Sequence, residues 1–500
     1  MVDGAGQATA WQQAAEQGGT AQPGPGPGRQ GGPRRSLAAI QLWLLAIFPV
    51  ADDAPGGQPA QGRRRLAGVA LQVAVLCAGA IVLLLRVGGT PAWDSVYAED
   101  NGEFLVGALT HPWHLLVPYA GYEQLGPRLI GQLIASFLPL FYASDAYAVA
   151  GALIGSASAL FIYHASDGYI RSRWLRAMLA AALVLLPLAP LDIIDSGVDS
   201  PWYPMTALFF AALWRPRWWP GMLAAALIAF YATSSEIVGI IYAPLLLIRL
   251  VALPRWREHA VTVGWLAGML VQAPAVLESY TQGAQRLHSG HLSHPGQAVA
   301  FYFHNVVLRA LGWRLSLHLM EIAGYNGATV IVGVILAACI AWAMAVGGRQ
   351  VRLFAVVALF IGFIQTILTA TITSYVNVQA PTWTFMSAAR YSTIPIVLID
   401  AIGILGVDAY LRRHGPVGLP IRPRARPSRR ALLAAGVLVC VLGFGWVTDL
   451  RYDTGRTSEG HWRVEAQHWL HECERSRNGE ITIPAWNSTQ VTVACSRFNR

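Results

Sequence analysis

Glu99 and Asp100 stand side by side in the segment WDSVYAEDNGEFLVGALTHPWHLLVPYAGYEQLGPRL, which begins at Trp93 and ends at Leu129. A third carboxylate (Glu103), two histidines (His111 and His114) and Arg128 share the segment with Trp93, Tyr97, Trp113, Tyr119 and Tyr122. Each type has a chemical use. Like charges raise a neighbouring carboxyl's pKa, which suits a base that must hold a proton during a reaction. The planar fork of arginine can bind two phosphate oxygens at once. Aromatic rings line both sugar clefts and membrane interfaces. A carboxylate pair next to a strongly apolar run is costly unless it is solvated, paired or used.

The elements that must position these groups are apolar. The chain has 500 residues, of which 54% are hydrophobic and 13% charged, with mean hydropathy +0.43. A soluble domain carries about 25% charged residues. Apolar runs long enough to cross a bilayer recur along the chain, marking an all-α polytopic membrane protein. The net charge of +9 does not address nucleic acid, because the arginines sit in short loops between apolar runs. Every basic position in Lys+Arg is arginine, a usage that fits GC-rich coding, as in a high-GC bacterium.

Residues 1–35, rich in Gly, Gln, Pro and Ala, are expected to be disordered. No cleavable signal is expected, because Leu37 to Val50 is followed by ADDAPGGQPAQGRRR. That short apolar stretch reads as an interfacial helix, and residues 1–65 as a cytoplasmic N-terminus. Arg63, Arg64 and Arg65 hold the start of the first span inside. The outer loop, 86–144, is therefore extracytoplasmic. Leu129 to Tyr142 is short for a span and reads as a helix on the outer surface. Spans are expected at 66–85, 145–165, 174–190, 202–214, 220–235, 237–252, 260–278, 328–346, 351–373, 391–410 and 431–448, about eleven in all. This parity keeps RPRWWP, PRWREH, GGRQVR and the basic loop before the last span inside. It makes 66–448 the transmembrane domain. The tail, 449–500, becomes a small extracytoplasmic α+β segment and the protein a multi-pass plasma-membrane one. No internal repeat is apparent.

The order span, AED, ALTHPWHLLVPYAGYEQLGPRLIGQLIASFLPLFY, SDAYAVAGALIGSASALF resembles the GT-C superfamily of polytopic membrane glycosyltransferases, which includes protein mannosyltransferases and the lipid A aminoarabinose transferase. In that superfamily an acidic pair follows the first span, then a surface helix, a proline-containing segment, a second surface helix and the second span. The likeness covers residues 66–165; beyond them it is architectural. It implies an inverting transfer of sugar from a polyprenyl-phosphate donor to an extracytoplasmic acceptor, which would be a cell-envelope glycan, lipid or protein. Glu99 and Asp100 match the acidic pair in reversed order, so either could be the catalytic base. LGPRL replaces a segment with one more proline. Arg128 and Arg390 are the arginines placed to meet the phosphate. His114, Tyr119, Tyr122 and Tyr391 complete the expected substrate-binding set. No cofactor is expected for certain and no metal site is assigned, although some superfamily members use a divalent metal. Two other readings stay open: a non-enzymatic transporter or flippase of lipid-linked glycans, and an inactive GT-C-like assembly protein.

Weaker signals remain. His288, His291 and His294 recur at three-residue spacing, without a recognised zinc pattern. Glu236 lies between two apolar runs, where it is either functional or solvated at an outer turn. Asp192, Asp195 and Asp199 read first as a plain polar loop, with an acceptor site as the alternative. Asn487 opens an N-x-S/T sequon. Cys77, Cys339 and Cys440 read as packing residues within spans. Cys473 and Cys495 are either two free thiols or, in an oxidising exterior, a disulfide. The chain has no P-loop, Rossmann fingerprint or G-x-S-x-G motif, which argues against ATP or nucleotide-sugar use.

Overall fold

The computed structural model describes residues 45–49, 62–97, 99–189, 193–281, 295–372, 389–414, 429–451, 460–476, 479–484 and 490–498. All belong to the unit Leu44–Arg500. Outside them lie Asp192, the three spaced histidines, Asn487, the disordered stretch expected at 1–35 and most of the loop preceding Arg390.

The principal helices are α1 (Gly62–Arg86), α2 (Leu125–Phe137), α3 (Ala143–Ala165), α4 (Arg173–Val184), α5 (Trp202–Leu213), α6 (Trp219–Ser235), α7 (Ala243–Ala252), α8 (Ala260–Thr281), α9 (Pro295–Tyr302), α10 (Trp313–Val346), α11 (Arg349–Ile372), α12 (Ala389–His414), α13 (Arg429–Thr448) and α14 (Trp462–Arg475). Each of the eleven expected spans carries a helix. Among the described residues six helices are long and apolar enough to cross a membrane: Leu66–Arg86, Leu140–Ala165, Trp256–Ser279, Trp313–Val346, Arg349–Thr371 and Ala389–Arg413. The others are shorter. All twelve residues of α5 are buried, and a helix of that length reaches only about 18 Å.

Two boundaries differ from expectation. The helix expected to start at 328 begins at Trp313 and is interrupted at Gly324, whose φ of 67° breaks the helical geometry. Of the interfacial helix expected from Leu37 to Val50, residues 45–49 form a turn that inserts into the protein. Ile47 and Phe48 are buried, the Tyr169 hydroxyl donates to the Ile47 carbonyl, and the Arg249 guanidinium covers the Phe48 ring. The three thiols expected to be packed, Cys77, Cys339 and Cys440, are exposed instead. They lie on outward helix faces, where apolar periodicity looks the same whether a face meets protein or lipid.

Close helix approach depends on small residues. A Cβ at Gly264 would lie 2.1 Å from the Ala226 carbonyl oxygen, and one at Gly268 would lie 2.0 Å from Thr233 Oγ1. These glycines let α8 pack directly on α6 and fix the height of the α6 C-terminus. Where helices end inside the protein, arginines take up the orphaned carbonyls. Arg86, 1% exposed, donates to the carbonyls of Val184 at 2.5 Å, Leu186 at 2.8 Å and Leu450 at 3.1 Å. Arg249 does the same for Ala212, Trp214 and Glu258.

The tail is the α+β segment expected. After α14 come the antiparallel strands β1 (Glu480–Pro484) and β2 (Gln490–Ala494), in register with Thr482 opposite Thr492. Cys473 and Cys495 are disulfide-bonded. Trp462, Trp469, Ile483, Val493 and Phe498 form a second apolar core with Val96, Leu105, Ile134 and Tyr147. The Trp462 indole donates to the Leu140 carbonyl at 3.0 Å, and Arg463 pairs with Asp145 at 2.7 Å.

Replacing Arg86 with Met strips the buried Leu186 carbonyl and the partly buried carbonyls of Val184 and Leu450 of their donor. Each such loss costs about 1–3 kcal/mol, so Arg86→Met should destabilise the fold by roughly 3 kcal/mol or more, read as a lowered thermal midpoint in detergent.

Candidate functional site

The adjacent carboxylates have different environments. Glu99 is half-buried, and its Oε1 accepts a 3.3 Å hydrogen bond from the Tyr119 hydroxyl. Asp100 is 1% exposed and opens a π-helical turn, Asp100–Leu105. Its Oδ2 accepts from the Gly197 N–H at 2.7 Å and the Ser196 hydroxyl at 3.1 Å. Its Oδ1 accepts from the Val198 N–H at 2.8 Å. The backbone approaches this carboxylate so closely that a Cβ at Gly197 would lie 2.7 Å from Oδ1. Asp100 is thus bound into the turn preceding α5.

That turn is no plain polar loop. Residues 193–200 are all buried, and Asp195 adopts φ 58°, a left-handed conformation that aspartate tolerates better than most residues. Asp199, 1% exposed, accepts a 2.9 Å ion-paired hydrogen bond from Arg390 Nη1. Arg390 opens α12 with its side chain 26% exposed. The following Tyr391 packs edge-on to Trp202, with ring centroids 5.4 Å apart. Ser200 lies 2.8 Å from the Tyr231 hydroxyl of α6.

The C-terminus of α6 closes the cluster from another side. There the chain reads Thr233, Ser234, Ser235, Glu236, and all four residues are buried. Glu236 sits in extended geometry between two helices, with φ −142° and ψ 118°. Arg390, Asp199 and Tyr122 all act on its carboxyl. Tyr122 is held in place by the loop around it. Gln124 donates to its hydroxyl at 3.0 Å. The fully buried Gln272 of α8 accepts from the Glu123 N–H at 2.9 Å and donates to the Glu123 carbonyl at 2.8 Å. Gly126 N–H donates to Ser235 Oγ at 3.0 Å.

Burial lifts the Glu236 carboxyl to about 8; Arg390 pulls it down, Asp199 pushes it further up, and the Tyr122 hydrogen bond lowers it. Burial also raises the Tyr122 hydroxyl well above its usual value, with Glu236 and Tyr391 adding to the effect.

The structure therefore brings together Tyr122, Arg390 and Tyr391 from the expected set. It joins them to Glu236 and Asp199, with Asp100 behind the turn that carries Asp199. Other expected residues lie apart from this cluster. Arg128, 8% exposed, stacks over Phe104 at 5.5 Å; burial lowers its pKa, and Glu123 and Glu103 raise it. Burial lifts Glu123 to about 6, against the pull of Arg128, while Glu278 adds to the rise. His114 is exposed and stacks on His111. Among the described residues, no group of three His, Cys, Asp or Glu side chains could hold a metal ion.

A mostly apolar groove of about 440 Å³ lies between α1, α3 and α6, lined by Leu76, Phe161, Trp214 and Leu227, with Gln72, His164 and Tyr231 as its polar members; Tyr231 links it to the turn that carries Asp199 through Ser200. Tyr231 was not singled out in the sequence, nor were Ser196, Ser200 and Gln272. The polar run TSSE between apolar stretches, and a lone glutamine inside one, are the signals that could have pointed to the α6 end and to Gln272.

No family model, curated protein or solved structure matches the chain.

Asp100→Ala removes the acceptor for two buried N–H groups and a hydroxyl, and should cost roughly 2–4 kcal/mol. Glu99→Gln, with one long hydrogen bond at a half-buried position, should cost about 1 kcal/mol or less. Thermal melts in detergent separate the two. Stability should also depend on pH through Glu236. Its folded value of about 8 lies above the ordinary carboxyl value of 4.5, so its contribution is complete below about 4.5 and is lost as pH rises through about 8. In the same melts, Glu236→Gln should flatten this part of the profile.

Proposed function

We propose that the protein is an inverting membrane glycosyltransferase of GT-C type, transferring sugar from a polyprenyl-phosphate donor to an acceptor outside the plasma membrane. The observation that carries the reading is the largely buried cluster of Asp199, Glu236, Arg390, Tyr122 and Tyr391, linked through the Ser200–Tyr231 contact to a groove lined mostly by apolar residues. A lipid-linked sugar phosphate is made of the same three parts: an apolar chain, an anion and a polyol. In this reading the chain lies in the groove, and Arg390 meets the phosphate, oriented by Asp199. Tyr122 and Tyr391 flank the sugar. Glu99, Tyr119, His114 and Arg128 line the approach of an acceptor glycan, lipid or protein. No step is routed through a metal.

The topology that accompanies this reading has about eleven spans, the basic loops and N-terminus in the cytoplasm, and the cluster and tail outside. The Cys473–Cys495 bond suits such an oxidising exterior.

The test is transfer of radiolabelled sugar from polyprenyl phosphate in membranes containing wild type, Glu99→Gln, Asp100→Asn or Arg390→Gln. Wild-type membranes should transfer label. Arg390→Gln should lower kcat/KM about a hundredfold or more, the size of losing a charge-assisted phosphate contact. Label that crosses proteoliposomes but is never transferred would instead establish a transporter of lipid-linked glycans.

A further inference from the structure

We propose that Glu236, rather than either member of the acidic pair after the first span, takes the proton from the acceptor hydroxyl. The inference rests on the transferase reading above and assigns the base within its site. Three observations carry it.

First, Asp100 is committed elsewhere. Its two carboxylate oxygens accept three hydrogen bonds from Ser196, Gly197 and Val198, and a carboxylate so bound is a poor base. Asp100 is a positioning residue: it fixes the turn from which Asp199 reaches Arg390. Second, among the described residues Glu99 accepts a single side-chain hydrogen bond, from the Tyr119 hydroxyl at 3.3 Å, and it lies half in solvent, apart from Arg390. Third, Glu236 occupies the place a base needs. It is 6% exposed and follows Ser235, whose hydroxyl holds the loop that carries Tyr122, and the paired Asp199 and Arg390 act on its carboxyl.

The charged and titratable groups around Glu236 come from every wall. Tyr122 comes from the loop before α2, Asp199 from the turn before α5, and Arg390 from α12. Tyr391 couples through Tyr122. Tyr231, on the same helix, interacts with Asp100 behind the turn. The α8 wall offers the uncharged Gln272. Arg390 and Asp199 offset one another, so Glu236 decides the charge of the pocket. Burial holds it protonated until pH approaches 8, and a base is most effective when its pKa lies near the working pH.

The step balances without a further reactant. The acceptor oxygen bonds to the anomeric carbon. The bond from that carbon to the phosphate oxygen breaks, and its electron pair leaves with the phosphate. The hydroxyl proton passes to the ionised Glu236 carboxylate.

The experiment is the pH profile of sugar transfer for wild type, Glu236→Gln and Glu236→Asp, alongside binding of polyprenyl phosphate followed by intrinsic fluorescence. Wild-type kcat/KM should rise with unit slope toward pH 8. Glu236→Gln should lose about 10²–10⁴-fold in kcat and the ascending limb with it, while binding polyprenyl phosphate within about threefold of wild type. Glu236→Asp should keep a shifted limb at reduced rate, and it carries the test if the glutamine variant misfolds. A glutamine variant that keeps the limb, or one that weakens only KM, overturns the assignment. A wild type that transfers nothing overturns the transferase reading instead. In that event, infrared difference titration of wild type against Glu236→Gln still reads the proton: no protonated-carboxyl band from Glu236 at pH 7 overturns the assignment without reference to turnover.

Discussion

An ionised carboxylate can leave water only where other donors replace the solvent it has lost. At Asp100 that exchange is made by two backbone N–H groups and a serine hydroxyl, all from one turn almost a hundred residues downstream. The arrangement binds the chain that follows α1 to the chain that precedes α5. It also demands glycine at 197, because any side chain there would collide with the carboxylate. The ion pair of Asp199 with Arg390, the contact of Ser200 with Tyr231, and the packing of Tyr391 on Trp202 all spring from the same turn. Loosening Asp100 would therefore loosen each of them.

The tail reaches the same point from the opposite side. Tyr147 belongs to the apolar core that α14 and the two strands complete, and its ring would lie 3.0 Å from a Cβ placed on Gly197. His461 pairs with Asp94 at 2.7 Å, and the Arg463 N–H donates to the same carboxylate at 3.0 Å. The disulfide closes the tail on itself across 22 residues. Such a link restricts the unfolded chain and so favours the ordered tail. Packing information passes from that tail through Tyr147 to the Gly197 turn. A short C-terminal segment can in this way support a site built from residues hundreds of positions earlier.

The helices were legible in the sequence because apolar length is a direct consequence of removing backbone from water, and all eleven expected stretches carry one. The disulfide was one of two readings the sequence left open, favoured over free thiols only by the compartment argument. The outward thiols were not legible: a helix face turned to lipid and one turned to protein carry the same residues. The acidic pair was visible, but not the different surroundings of its two members, since the donors that occupy Asp100 lie almost a hundred residues downstream. Arg390 could be singled out by its place at a helix start, whereas its partner Asp199, 191 residues away, could not be matched to it. Glu236 was visible as a carboxylate between apolar runs. Its burial was not, because the loop from Tyr122 to Gly126 that covers it is docked by Gln272 and Ser235, contacts that no local pattern encodes.

The charge in the cluster sets what it can accept. A buried ion pair contributes little net stability, and removing one partner is expensive because it leaves the other uncompensated. Arg390 and Asp199 form such a pair, and a third ionisable group, Glu236, is close enough to both for its protonation to matter. With Glu236 neutral, the pocket is balanced; once it ionises, the pocket carries one excess negative charge and opposes an incoming anion. An anionic ligand is therefore best received while Glu236 holds its proton, and a departing proton is best received once that proton has gone. The two requirements pull in opposite directions along the pH axis. A carboxyl held near the middle of that axis by burial, rather than one left in solvent or saturated with donors, is the kind of group that can meet both in turn.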